Sequence, residues 1–229
     1  MFRYETAWQA VRARIAEAAR AAARASDEVR LLAVSKTVAP DAVRAVHGLG
    51  QRAFGENYVQ EAVEKRAALA DLPDIVWHLI GPLQSNKARA AAATFDWVES
   101  IDRLKIAERL AAARDPARGP LNVLIQVNAS AEVTKSGVSA PETVGLALAV
   151  NALPGLRLRG IMGIPAPTED PVRRRRQFAM LRECFEAVRE AGLDVDTLSM
   201  GMSADVEAAI AEGATEVRIG TALFGARPA

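Results

Sequence analysis

Short, continuous apolar runs recur along the chain and alternate with segments whose apolar residues follow a helical period. Such runs are typical of strands that are buried on both faces of a parallel sheet. They predict eight strands, at residues 31–36, 53–57, 76–81, 97–102, 122–128, 156–164, 195–201 and 216–224. Strand and helix alternating eight times predict a single-domain (β/α)8 barrel, a TIM barrel, over residues 1–229. A doubly wound open sheet is the alternative.

The segments between the predicted strands carry start and stop signals of helices. Pro40 suits the first turn of a helix over residues 40–47, and Gly48 suits its end. An extra helix precedes the first strand, with Trp8, Val11 and Ile15 on one face. We expect it to lie across the base of the barrel or along its side.

Composition and charge exclude several classes of protein. A net charge of +1 creates no overall field for nucleic acid or an anionic membrane. Cys184 is the only cysteine, which excludes an internal disulfide and fits a reducing cytoplasm. The N-terminus lacks the apolar core of a signal peptide, and no apolar run approaches the roughly 18 residues that span a bilayer. We therefore expect a cytoplasmic protein without nucleic-acid or membrane partners, and a monomer because no exposed apolar stripe stands out.

Lys36 closes the first predicted strand, at the end of the barrel where active sites of this fold lie. A lysine that ends a buried run needs a partner, contact with water or a neutral amine to offset its lost hydration. A neutral amine is a nucleophile toward aldehydes. The alternative is a lysine that simply emerges into solvent.

Glycine and hydroxyl residues mark the last two predicted strands. Gly201 and Ser203 precede a predicted helix over residues 204–212, and Gly220 and Thr221 lie late in the eighth strand. Backbone N–H groups at a helix start favour anions, and barrels frequently bind phosphate with the loops after strands seven and eight. The alternative is a serine N-cap beside a turn glycine.

An amine that attacks aldehydes and a phosphate site in one barrel mouth predict pyridoxal phosphate as the ligand. Arg218, within the eighth strand, is placed to face the pyridine nitrogen, where a permanent cation would discourage ring protonation. The alternative for Arg218 is a salt bridge with a nearby acid. A barrel aldolase acting on a phosphorylated sugar would explain the lysine and the phosphate site but not Arg218.

Five motifs carry a resemblance to a known family. They are 33–37 (AVSKT), 54–57 (FGEN), 77–87 (WHLIGPLQSNK), 199–203 (SMGMS) and 217–225 (VRIGTALFG). In this order they closely resemble the YggS/PROSC family of pyridoxal phosphate homeostasis proteins, over nearly the whole chain. The resemblance implies a fold-type III barrel like the N-terminal domain of alanine racemase.

The resemblance also implies roles for individual residues. Pyridoxal phosphate would be held as a Schiff base, a covalent aldimine on Lys36, with Arg218 at the ring nitrogen and Asn57 near the phenolic side of the ring. The implied phosphate contacts are Met202 (through its backbone), Ser203, Gly220 and Thr221. His78 is expected to be a hydrogen-bonded core histidine rather than a cofactor contact, and Met162 to pack against the ring or the core. No role is assigned to Asn86, Lys87 or Lys135.

A single cysteine and two histidines, His47 and His78, argue against a metal site, so no metal ligand is assigned. The chain is expected to be a carrier rather than an enzyme, so no catalytic residue is assigned. A racemase of this fold needs acid–base groups on both faces of the substrate carbon. Tyr4 and Tyr58 are the only tyrosines and neither is placed as a second base, and the chain ends at Ala229 without a second domain. We expect pyridoxal phosphate homeostasis, with transient contact with apo-enzymes. A monomeric amino-acid racemase is the alternative.

Overall fold

The computed structural model describes residues 2–129 and 136–226. Within these residues, eight parallel strands close into a barrel in chain order, and β1 completes it by pairing with β8. The strands are β1 (Arg30–Val34), β2 (Ala53–Glu56), β3 (Val76–Leu79), β4 (Trp97–Ile101), β5 (Leu121–Val127), β6 (Leu156–Gly163), β7 (Thr197–Ser199) and β8 (Glu216–Ile219). The predicted (β/α)8 barrel is confirmed, and the open sheet is wrong.

Several strands end earlier than their apolar runs predicted. β1 ends at Val34, so Lys36 lies two residues beyond it. The prediction is wrong at β8, which was expected to run to residue 224 but ends at Ile219, after which Thr221–Phe224 is helical. A short apolar run does not by itself distinguish a strand from a turn of buried helix.

Helices surround the barrel, and all except α9 lie between or before the predicted strands. They are α1 (Phe2–Ala21), α2 (Pro40–Gly48), α3 (Val59–Ala68), α4 (Ala88–Thr94), α5 (Leu104–Ala113), α6 (Thr143–Asn151), α7 (Pro171–Glu190), α8 (Val206–Ala211) and α9 (Thr221–Phe224). At the start of α7, Asp170 accepts a hydrogen bond from the amide of Val172, and Pro171 occupies the first turn. Across the described segments, no helix combines the length and the hydrophobicity that crossing a membrane requires.

The extra helix α1 lies along the side of the barrel, where a full-length eighth helix would otherwise stand. It packs against α8, α9 and α2. Val11, Ile15 and Ala19, on its inner face, are buried. Because α9 is a single turn, it cannot cover the seam between β8 and β1, and α1 covers the apolar residues there instead.

The inside of the barrel is polar, unlike the main core between strands and helices. Its apolar side chains include a small cluster of Trp97, Leu124 and Met162. Ser199 on β7 donates a hydrogen bond to Glu99 on β4 over 2.7 Å, and this contact crosses the interior because the two strands are not neighbours. Barrels of this fold are usually filled by branched apolar side chains, so charged groups here call for a functional explanation.

Candidate functional site

A cavity of about 630 Å³ opens at the C-terminal ends of the strands. Its described lining includes residues that follow every strand except β4. The seven predicted ligand-binding residues all line it: Lys36, Asn57, Met202, Ser203, Arg218, Gly220 and Thr221. The volume lies within the range of about 300–1,000 Å³ that small-molecule sites occupy. The fold therefore brings together residues that are far apart in the sequence.

The backbone on both sides of Lys36 is anchored by a buried ionic cluster. Lys65 of α3 donates to Glu56 Oε1 over 2.8 Å, to Glu61 Oε1 over 2.7 Å and to the carbonyl oxygen of Ser35. The Ser35 hydroxyl donates to Glu56 over 2.6 Å, and the amide of Thr37 donates to Glu61 over 2.5 Å. The cluster thus holds the residues before and after Lys36, so that the lysine projects from a fixed base.

Thr37 adopts a left-handed backbone conformation with φ of +60°. This conformation is uncommon for a β-branched residue and costs of order 1–3 kcal/mol when the surroundings impose it. It turns the chain sharply after Lys36, which lies in the cavity wall.

Two glycines allow the close approaches that shape this end of the barrel. A Cβ atom on Gly81 would lie 2.2 Å from the carbonyl oxygen of Asn57, so the loops after β2 and β3 can touch only without a side chain there. Gly201 has φ of +95°, and a Cβ atom on it would lie 2.5 Å from the Cβ of Ala209. Glycine at this position lets the chain turn from β7 into the loop before α8.

Four backbone amides in the cavity wall or next to it are open. The amides of Ser203, Ala204, Thr221 and Ala222 donate no hydrogen bond to any residue within 2–129 or 136–226. Ser203, Ala204 and Thr221 line the cavity. Groups of open N–H donors at such positions are suited to binding an anion.

Arg218 forms part of the cavity floor and is 4% exposed. Its guanidinium donates to the Ser199 hydroxyl over 2.7 Å and to the carbonyl oxygen of Gly163 over 2.8 Å. Burial lowers the pKa of Arg218, while the nearby Glu99 carboxylate acts in the opposite direction. The salt-bridge alternative is thus partly realised, because Arg218 is tied through Ser199 to a buried acid and also lies in the cavity wall.

Behind Arg218 the buried polar network continues to the middle of the barrel. Glu99 contacts His78 Nδ1 over 2.7 Å, and the His78 ring stacks on Trp97. Burial lowers the pKa of His78 to about 4, so this contact is a hydrogen bond of a neutral imidazole rather than an ion pair. Burial raises the pKa of both Glu99 and Glu216. His78 is therefore the hydrogen-bonded core histidine that the sequence predicts, and it does not line the cavity.

Sequence analysis missed three residues of this network: Glu99, Ser199 and Glu216. A signal was present, because Glu216 and Arg218 are two residues apart and side chains at i and i+2 of a strand point to the same face. Two opposite charges on one face of a buried strand predict a polar interior.

Other residues from the sequence analysis lie elsewhere. Met162 packs against Trp97 inside the barrel. Asn86 and Lys87 are exposed at the start of the α4 region, outside the cavity wall. Lys135 lies outside the described residues.

Comparison with known proteins assigns the chain to a family. Residues 8–228 match the family model of the alanine racemase N-terminal domain. The chain is 58% identical over 217 residues to the pyridoxal phosphate homeostasis protein of Pseudomonas aeruginosa, covering 95% of this chain and 93% of that protein. The chain belongs to the pyridoxal phosphate homeostasis protein family. The resemblance seen in its motifs is thereby confirmed.

The chain is also similar to a second curated relative and to a solved structure. The pyridoxal phosphate homeostasis protein of Escherichia coli K12 is 53% identical over 224 residues, covering 95% of this chain and 94% of that protein. The solved structure of PipY from Synechococcus elongatus with pyridoxal phosphate bound is 38% identical with a TM-score of 0.80, covering 92% of this chain and 100% of that chain. The family thus includes a solved structure that holds the ligand predicted for this chain.

Proposed function

We propose that this protein holds pyridoxal phosphate covalently on Lys36 and releases it again, and that its role is to carry and buffer the cofactor. The observation that carries the proposal is that one cavity joins Lys36, a set of open amides and the buried Arg218. Relatives at 53% and 58% identity named as pyridoxal phosphate homeostasis proteins support it. PipY, whose structure contains pyridoxal phosphate, supports it independently.

The chemistry of the lining residues fits this ligand. Pyridoxal phosphate supplies an aldehyde, an aromatic ring with a basic nitrogen, and a phosphate ester. The Lys36 amine would condense with the aldehyde, whose oxygen would leave as water, and added water would reverse the bond on release. The amides of Ser203, Ala204 and Thr221 would donate to the phosphate. Arg218 would face the ring nitrogen and keep it unprotonated, because the guanidinium has no acceptor atom and stays charged. Asn57 would lie beside the phenolic oxygen.

The ionisable groups of the cavity favour a carrier over an enzyme. Along the described wall, Lys36 and Arg218 are the only ionisable side chains. Tyr4 of α1 packs edge-on against Phe224, and Tyr58 is 60% exposed; neither lines the cavity. Racemisation needs a second proton donor opposite the lysine, and an arginine is a poor one because it does not lose its proton near neutral pH.

Delivery to apo-enzymes, a monomeric state and a cytoplasmic location belong to the same proposal. The amides and Lys36 lie at a mouth whose rim residues Met202 and Thr221 are exposed, so that a recipient can approach the bound cofactor. Transfer would appear as faster activation of an apo-enzyme by the loaded protein than by the same concentration of free cofactor. Size-exclusion chromatography of the loaded protein tests the monomer.

The decisive experiment is borohydride reduction of the loaded protein followed by peptide mass mapping. We expect a yellow protein and a reduced pyridoxyl adduct on Lys36. Lys36→Ala should remove the adduct, whereas Lys87→Ala, which changes an exposed lysine outside the cavity, should leave it intact. Normal covalent loading of Lys36→Ala, or an adduct on another lysine such as Lys135, would refute the assignment of Lys36.

A separate assay distinguishes the carrier from a racemase. The loaded protein is incubated in heavy water with a panel of amino acids, and exchange of the α-proton is followed by NMR. We expect no exchange above that of free pyridoxal phosphate. Exchange that depends on Lys36 and produces both enantiomers would establish the racemase instead.

A further inference from the structure

Arg14, on the extra helix α1, reaches across to the loop between β7 and α8. Its guanidinium donates to Glu207 Oε1 over 2.6 Å and to Glu207 Oε2 over 2.7 Å, which forms a bidentate pair. The remaining amino group, Nη1, donates to the carbonyl oxygen of Ser203 over 2.6 Å. Arg14 therefore links α1 to the loop that carries the predicted phosphate contacts, although it is not part of the cavity wall.

The contact with the Ser203 carbonyl determines where the next amide points. A trans peptide is planar, and its C=O and N–H bonds point in opposite directions. Because Arg14 holds the oxygen of the Ser203–Ala204 peptide on the side of α1, the N–H of Ala204 points away from α1. Ala204 lines the cavity, and its amide donates to no other described residue.

The preceding peptide is held in the same way by the loop itself. The carbonyl oxygen of Met202 accepts a hydrogen bond from the amide of Asp205 over 3.0 Å, and the Met202 amide donates to the Asp205 carboxylate over 2.6 Å. The N–H of Ser203 is therefore directed away from Asp205. Asp205 orients the first open amide of the loop, and Arg14 orients the second.

We propose that Arg14 is a positioning residue for phosphate: it fixes the Ser203–Ala204 peptide so that the Ala204 amide is preset to donate to the phosphate of the bound cofactor. This inference rests on the proposed function, since it concerns the phosphate end of the same ligand. Glu207 anchors the guanidinium and balances its charge, so that Arg14 acts through the peptide rather than as an anion ligand. It also gives helix α1 a function beyond covering the barrel.

If Arg14 preorganises the peptide, its removal should weaken binding only of ligands that carry the phosphate group. In Arg14→Met the peptide can rotate, and binding must then restore its orientation. We expect the Kd of pyridoxal phosphate to rise about tenfold, the usual scale for one hydrogen bond to a charged group. The Kd of pyridoxal, which has the same aldehyde and ring without the phosphate, should change less than twofold, because the environment of Lys36 is unaltered.

The matched control is Arg20→Met, which removes the same charge from an exposed position of α1 without touching the loop. It should leave both affinities unchanged. Arg14→Lys, which can reach the Ser203 carbonyl with one ammonium donor, should recover part of the loss. Both ligands are titrated by absorbance, and thermal unfolding of each variant verifies that it is folded.

A measurement on the unmutated protein keeps the inference testable if Arg14→Met does not fold. In an amide NMR titration, the Ala204 resonance should shift on addition of pyridoxal phosphate and of inorganic phosphate, but not of pyridoxal. An unshifted Ala204 amide, or equal losses of pyridoxal and pyridoxal phosphate affinity in Arg14→Met, would overturn the inference. A wild-type protein that forms no covalent adduct would instead overturn the proposed function.

Discussion

Replacing Glu216 by glutamine tests whether the barrel interior prefers a neutral group at the start of β8. Glu216 is 1% exposed, and its Oε1 atom has no hydrogen-bond partner among the residues that the structure describes. Burial raises its pKa from the ordinary 4.5 to about 7, and the nearby Glu99 carboxylate adds to the rise. Glutamine has nearly the shape of the protonated acid and does not ionise.

The magnitude follows from the difference between the folded and unfolded pKa of Glu216. Each unit of pKa difference corresponds to about 1.36 kcal/mol, so a rise from 4.5 to about 7 corresponds to about 3 kcal/mol. Because the fold favours the protonated acid, this contribution to the free energy of unfolding is fully present below pH 4.5 and is lost as the pH rises through 7. The Glu216→Gln variant has no such loss. Its stability relative to the wild type should therefore increase between these pH values.

His78 contributes with the opposite sign and must be separated from Glu216. Burial lowers the pKa of His78 from 6.5 to about 4, so its contribution is present above pH 6.5 and is lost as the pH falls through 4. In the wild type the two contributions change the free energy of unfolding in opposite directions with pH, over much of the same pH range. Comparing the variant with the wild type at each pH removes the part of the His78 contribution that does not depend on Glu216. The remaining part enters the difference, because the Glu216 carboxylate raises the pKa of His78.

The assay is urea unfolding of the cofactor-free proteins, followed by circular dichroism in steps from about pH 4 to about pH 9. The difference in unfolding free energy between Glu216→Gln and wild type should be small at the acid end and reach about 3 kcal/mol at the basic end. Glu17→Gln, at an exposed position of α1, serves as the control and should show no such trend. A difference that stays constant or decreases with pH would refute the reasoning.

Two further predictions concern the packing around the cavity. Gly81→Ala should lower the free energy of unfolding, measured in urea, by about 1–3 kcal/mol, because its Cβ would overlap backbone atoms of Asn57. Gly48→Ala, which has open space around it in α2, should not destabilise the protein. Equal effects at the two sites would contradict this. Lys65→Met should lower the free energy of unfolding by about 3–5 kcal/mol, because it leaves the buried Glu56 carboxylate without its cation. Adding Glu56→Gln should restore much of this stability. Strictly additive losses of stability in the double variant would show that the two side chains do not act as a pair.

The sequence predicted the residues of the cavity more completely than those of the barrel interior. All seven residues predicted to contact the cofactor line one cavity, because parallel strands place their C-terminal ends at one edge and the chemistry of a barrel collects there. The boundary of β8 was wrong, since hydrophobicity alone does not separate the end of a strand from the single helical turn of α9. The interior network was missed because Ser199 meets Glu99 only across the closed barrel.

The sequence by itself determined the number and order of the strands and the family, and it predicted Lys36 as the residue that holds the cofactor. These are local properties, because an apolar run and a motif each depend only on residues that are close together in the sequence. Only the tertiary structure decided that α1 replaces an eighth helix, that Arg14 holds the Ser203 carbonyl, and that Lys65 braces the backbone around Lys36. Each of these contacts joins distant segments, and its geometry depends on barrel closure, which sets the position of every strand end relative to the others.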